Sequence, residues 1–226
     1  MLTYYAGQCT QWLEDEDVEK MDEDDEVTIP PEILEDLRAA GWKSGSSSLD
    51  LVLAQEAETS ATRAREAFQS GKRRSEWGAT ASAILCASAA CECRVSEFLA
   101  HWEFASGPLP TELAAIRQKH DALEQWRLLL RNRAPGYDLG SCREYQRLGC
   151  LLRLRDLVAH RNARLCPVGA VPDQIADCVR QGVVPIRQGI HSAWPSAVLV
   201  HEVADWATQT AKRWLKVADE LVPLVC

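Results

Sequence analysis

"ATASAILCASAACECRVSEFLA", residues 79–100, is the stretch that decides the fold class. Its members Ile84, Ala87, Cys91, Val95 and Phe98 recur at steps of three and four, the period of a helix face and not the alternation of a strand. Ala, Ser and Cys fill much of the remainder, and side chains that small let a neighbouring helix approach closely. The stretch therefore predicts a helix packed tightly among others.

Working toward the N-terminus, "KSGSSS" (43–48) reads as a turn with capping residues, followed by a helical pattern from about Leu49 to Ser70. Before it, "PPEILEDLRAAGW" has Pro at a helix start, Ile33, Leu34 and Leu37 on one side and Gly41 at the stop, which predicts a short helix. Toward the C-terminus, "SGPLP" breaks the chain, and 112–131 reads as one helix through Leu113, Ile116, Leu123 and Leu130. "RAPGYDLGS" (133–141) reads as a loop, and another helix runs from about Cys142 into 152–164. Residues 165–195 hold Pro167, Pro172, Pro185 and Pro195, so an irregular connection is expected there, with a short extended piece at "GVVPI". A long amphipathic helix at roughly 196–221, carrying Val203, Trp206, Thr210, Trp214, Val217 and Leu221, closes the chain.

These elements predict an all-α bundle with a long irregular loop before its last helix. No internal repeat and no βαβ alternation appears. Residues 1–48 read as an acidic N-terminal extension with a short helix, and 49–226 as the helical domain.

A chain of 226 residues, 46% hydrophobic and 26% charged, can bury one substantial core. Its first residues, "MLTYYAGQCTQWLEDEDVEK", lack the basic start and apolar centre of a secretory signal. No stretch approaches the ~20 apolar residues that span a bilayer. A cytoplasmic protein without membrane partners is expected. Nine cysteines are an odd number for a reducing compartment, and most read as small buried hydrophobes. Cys91 and Cys93 are one residue apart, and no CxxC pair or HxxxH cluster lies elsewhere, so neither a metal nor another cofactor is expected.

The net charge of -8 is unevenly distributed. Residues 1–36 hold thirteen acidic side chains against Lys20 alone, whereas residues 127–164 hold nine arginines against Asp138, Glu144 and Asp156. Arginine presents a planar fork that binds phosphate through paired hydrogen bonds, which an ammonium does not. Most of the nine suit a solvated helix face. The carboxylates of 13–26 either mimic phosphate toward that basic surface or serve only solubility.

Within the arginine-rich part lies "LRLRDLVAHRNAR" (152–164). Leu148, Leu152, Arg155 and Ala159 follow the helical period, which places Arg155 on an otherwise apolar stripe. In the small-residue helix, Leu85, Glu92 and Leu99 recur at sevens, which places Glu92 on a similar one. Two inward charges of opposite sign are cheapest when paired, so Glu92 is expected to meet Arg155, directly or across an interface. Asp156 and His160, four apart, share a helix face.

An Arg followed after four to six residues by His, at the end of a helix ahead of the last helix of a small α bundle, resembles the motif of HEPN domains. "RDLVAH" fits its variant with an acidic residue after the Arg, at Arg155, Asp156 and His160, and "ASAACECRVSEF" supplies the acidic residue of an upstream small-residue helix, Glu92. Arg94 and His101 carry the same spacing, but the leucine-rich approach, the Asp and the inward Glu select Arg155. The resemblance covers about residues 50–222.

It implies a HEPN-like helical bundle, a homodimer with two facing motifs, and a metal-independent endoribonuclease that attacks through the ribose 2′-hydroxyl. On that reading His160 transfers protons, Arg155 stabilises phosphate charge, Asp156 orients the imidazole and Glu92 holds Arg155. Arg153, Arg161 and Arg164 would contact RNA. A toxin or defence effector, with an antitoxin or regulatory partner protein, is the corresponding biological expectation. Other members resemble non-catalytic dimerisation or nucleotide-binding modules, which is the alternative.

Overall fold

The computed structural model describes residues 49–117, 121–159, 171–187 and 194–222. The chain divides after Ser44, and all of these residues belong to the second unit. The acidic run 13–27 and the short helix expected at 30–42 lie outside the described residues, as do His160, Arg161 and Arg164.

The described residues form eight helices and no strand, so the all-α class holds: α1 (Leu49–Gln69), α2 (Arg73–Ser106), α3 (Thr111–Arg117), α4 (Ala122–Arg133), α5 (Arg143–Ala159), α6 (Asp173–Arg180), α7 (Trp194–Val198) and α8 (His201–Leu221). Helices α1, α2, α5 and α8 make the central packing. Helix α4 covers α2, and α6 lies against α5.

Small residues set the closest packing. Helix α1 buries Ala57, Ser60, Ala61, Ala64 and Ala67 on one face, and Ala83 of α2 and Ala204 of α8 complete that layer. Gly71 allows the hairpin from α1 into α2. Its φ of 67° lies in the left-handed region, its N–H donates to Phe68 O at 3.0 Å, and the Lys72 N–H donates to Ala67 O at 2.8 Å. This pair of bonds satisfies carbonyls at the helix end, and glycine adopts the required φ most cheaply.

Larger rings fill the centre. Trp126 of α4 is fully buried, meets Phe98 and Trp214 edge-on at 5.7 and 5.2 Å between centroids, and donates its indole N–H to Cys91 O at 3.1 Å. The hydrogen bond removes the penalty of burying an indole nitrogen. It also ties α4 to the middle of α2.

Four expectations are corrected. The single helix expected over 112–131 is two, because Asp121 starts α4 by accepting a hydrogen bond from the Glu124 N–H at 3.0 Å, the Asp-x-x-Glu pattern of a capping box. The connection 165–195 contains α6, whose buried Ile175 and Cys178 are three residues apart on one face. "GVVPI" is not extended in a sheet; Gly182 at φ 65° ends α6, and the Val183 N–H donates to Cys178 O at 2.8 Å. The closing helix begins at His201, preceded by the separate turn of α7, because Val200 has extended backbone angles.

Most described cysteines are buried or half-buried, as expected, but Cys150 of α5 and Cys178 of α6 are joined in a disulfide, with Cα atoms 6.1 Å apart. Their separation in the sequence carries no pairing signal; the packing of α6 against α5 brings them together. No helix among the described residues is long and apolar enough to cross a membrane.

Candidate functional site

Helix α5 is seated by Leu148, Leu151, Leu152, Leu154 and Leu157, all buried. Arg155 lies within that series, and its side chain reaches the edge where α5 meets α2. There its Nη2 donates directly to Glu92 Oε1. The expected pair therefore forms within one chain.

Its setting differs from the expectation in one respect. Glu92 was expected on an inward stripe with Leu85 and Leu99, and only Leu99 is buried; Leu85 is exposed. Recurrence at exact sevens drifts around a helix of 3.6 residues per turn, so the three positions do not keep one face. The pair consequently sits at the rim of the bundle, with the Arg155 and Glu92 side chains 20% and 31% exposed. A rim position leaves the charges reachable.

Asp156 is the third member. Its Oδ1 is 3.3 Å from Arg155 Nε, yet that nitrogen is buried and makes no hydrogen bond among the described residues. Burial raises the Glu92 carboxyl above its ordinary value; the Arg155 charge and hydrogen bond pull it down, and the Asp156 charge pushes it up. Two carboxylates around one guanidinium leave the cluster with an excess negative charge when both are ionised. That environment favours a further proton or cation nearby.

The remaining expected residues are not gathered here by the described residues. Arg153 is exposed on α5, pointing away from the buried leucines beside it. The competing match, Arg94 with His101, is committed elsewhere. Arg94 donates to Asp219 through Nε at 3.1 Å, to Glu97 at 3.3 Å, and lies 3.6 Å from the buried Asp50. It ties α1, α2 and α8 together.

A second polar cluster escaped the sequence reading. Glu76 of α2 is buried, and its Oε1 accepts from Arg187 Nη2 at 2.8 Å and from the His201 N–H at 3.1 Å. Arg187 Nη2 also reaches Glu202 Oε2 at 2.8 Å and lies 3.1 Å from His201 Nδ1, while the Phe68 ring packs on both Arg187 and His201. Glu76, His201 and Glu202 have ligand atoms close enough to hold a metal ion, but the Arg187 guanidinium already bonds to the same carboxylate oxygens. Arg187 thus offsets one of the two carboxylate charges and occupies the oxygens that a metal would need. Its signal was present in the sequence: Glu76 continues the buried stripe of Thr80, Ala83 and Ala87 at helical spacing.

No family model, characterised protein or solved structure matches this chain.

Proposed function

We propose that the chain is a metal-independent endoribonuclease of HEPN type. The observation that supports this most is the Arg155–Glu92 pair: an arginine at the end of a leucine-anchored helix, held by an acidic side chain from a small-residue helix, four residues before Ala159 and five before His160. Preorganised guanidinium groups stabilise charge developing on phosphate without reorganising at the moment of reaction.

In the proposed reaction His160 takes the proton from a ribose 2′-hydroxyl. The 2′-oxygen bonds to phosphorus as the bond to the 5′-oxygen breaks, and that leaving oxygen receives a proton from the second imidazole of a homodimer. The products are a cyclic phosphate and a free 5′-hydroxyl. Arg155 faces the phosphate, Glu92 fixes Arg155, Asp156 orients the imidazole, and Arg153, Arg161 and Arg164 contact the flanking backbone. A role as a toxin or defence effector, under a regulatory partner protein, suits such an activity.

One observation favours the alternative of a non-catalytic dimerisation or nucleotide-binding module. Two carboxylates surround Arg155 and offset its charge, as in an ion pair that holds α5 against α2 without chemistry. Incubation of the full chain with total RNA in EDTA separates the two readings, since the nuclease cleaves and the module does not. The His160→Ala variant should then cleave at least about a hundredfold more slowly under single-turnover conditions, the usual scale for loss of a general acid or base. Equal rates for variant and parent would overturn the proposal.

A further inference from the structure

The hairpin from α1 into α2 ends in a positively charged turn. Phe68, Lys72, Arg73 and Arg74 follow one another around it, and all four are exposed. The Gly71 N–H donates to Phe68 O, the Lys72 N–H to Ala67 O and the Arg73 N–H to Gly71 O, so the backbone that carries the cations is folded against the end of α1 that carries the ring. Among the described residues, no carboxylate lies at ion-pair distance from any of the three. Glu76, the acidic residue in the first turn of α2, is buried and turned to Arg187 and the His201 N–H. Cations in a first helical turn meet the positive end of the helix dipole, a cost that an anion bound there offsets. Even with Glu66, Glu76 and Glu202 counted against these cations and Arg187, the turn and its surroundings keep a positive excess.

The Phe68 ring is held in place. Its centroid lies 4.5 Å from that of His201, stacked at 27°, and 4.4 Å from the Arg187 guanidinium carbon. Arg187 Nη2 is also 3.1 Å from His201 Nδ1, too short a separation to reach around the ring, so both groups lie on one face. The other face is the open one, and Phe68 is 45% exposed. Glu76 and Glu202 anchor Arg187 and so fix the ring from behind. A flat apolar face beside unpaired cations is the combination that binds single-stranded nucleic acid, since a base stacks on the ring while the phosphates reach the cations. An acidic peptide uses the cations alone, and a single ring inserts far less apolar surface into a bilayer than an amphipathic anchor does.

We infer that Phe68, Lys72, Arg73 and Arg74 form a docking surface for single-stranded RNA at the α1–α2 turn, apart from the Arg155–Glu92 pair. The choice of RNA among single-stranded nucleic acids rests on the ribonuclease reading. Arg74 and Glu92 are both on α2, about 27 Å apart along its axis at 1.5 Å per residue. The surface therefore holds a strand away from the bond that is cut. Substrates with a single-stranded extension are the ones it favours.

The test uses the full chain and a fluorescein-labelled, 2′-O-methylated oligouridine of about twenty nucleotides, which lacks the attacking hydroxyl and so reports binding alone. Each phosphate contact on a single strand contributes about −0.7 to the slope of log K against log salt, so Lys72→Gln, Arg73→Gln and Arg74→Gln together should reduce the slope by about 2 and weaken binding about a hundredfold at 0.1 M salt. Phe68→Leu should weaken binding about tenfold with the slope unchanged, the scale of one stacked base. An abasic oligomer with the same phosphate spacing should bind the parent and Phe68→Leu equally. The pair Arg213→Gln and Lys216→Gln, which removes two exposed cations of α8, should leave the slope nearly unchanged. A slope loss below about 1 in the triple variant, an equal loss in the control pair, or a Phe68→Leu affinity within about twofold of the parent would overturn the surface. Should Phe68→Leu not fold by circular dichroism, the parent on the abasic oligomer carries the stacking test, with about a tenfold loss expected and less than about twofold overturning. Phosphatidylserine vesicles that bind through these residues more tightly than the oligouridine would assign the surface to a membrane and overturn the RNA reading. Binding that depends on these residues without cleavage of total RNA would remove the nuclease reading and leave this surface intact; cleavage with unchanged binding in the triple variant would do the reverse.

Discussion

Replacing Arg155 with Met keeps an unbranched apolar stem and removes the cation that Glu92 and Asp156 share. Glu92 would then retain the two influences that raise its carboxyl, burial and the Asp156 charge, and lose the two that lower it, the charge and the hydrogen bond of Arg155. The magnitude follows from exposure. Fully buried pairs cost roughly 3–5 kcal/mol when one partner is removed and exposed pairs roughly 0–1, so a rim pair should couple by about 2 kcal/mol. That is roughly a thirtyfold change in the folding equilibrium.

The sign of the pH dependence is fixed by the same residues. A carboxyl raised in the folded state binds its proton more tightly there than when unfolded, so stability falls as pH rises from the unfolded value through the folded one. Without Arg155 that fall is steeper, since nothing offsets the ionised Glu92. The cost of Arg155→Met should accordingly be larger at pH 7.5 than at pH 5, where Glu92 is more often protonated. Urea unfolding followed by tryptophan fluorescence, on the parent, Glu92→Gln, Arg155→Met and the double variant, measures the coupling at both pH values. A coupling below about 0.5 kcal/mol at pH 7.5, or a cost greater at pH 5, would refute the account.

Two further perturbations address the scaffold. Gly71→Ala should destabilise by about 1–2 kcal/mol because of its left-handed φ alone, no atom lying within 4 Å of the added carbon, whereas Gly78→Ala, exposed within α2, should stabilise by about 0.5–1 kcal/mol. Equal effects at the two glycines in thermal unfolding would contradict the capping of α1. Replacing both Cys150 and Cys178 with Ala should cost about 3–4 kcal/mol in denaturant unfolding, the loop-closure value for a separation of 28 residues; an unchanged midpoint would show that the bond does not constrain the unfolded chain.

Much of this molecule was legible as a linear pattern. The helical period of Ile84, Ala87, Cys91, Val95 and Phe98 predicted a face that is buried throughout, and the isolated charges at Glu92 and Arg155 predicted each other, because a charge among apolar positions needs a counter-charge. Local punctuation was read less well. The cap at Asp121 divides a helix that hydrophobic spacing alone would continue, and the eight-residue α6 is too short to announce itself between prolines. Periodicity reports a face, while a single side-chain hydrogen bond can end a helix.

Other features depended on which helices meet. Cys150 finds Cys178 and Arg187 finds Glu76, through contacts between residues 28 to 111 positions apart. A sequence specifies the apolar face of each helix, but the neighbours of its polar residues are set by register and crossing, which emerge only when all the faces are buried together. The same cause moved the Glu92–Arg155 pair from the interior to the rim: its partners were determined by charge, and its exposure by packing.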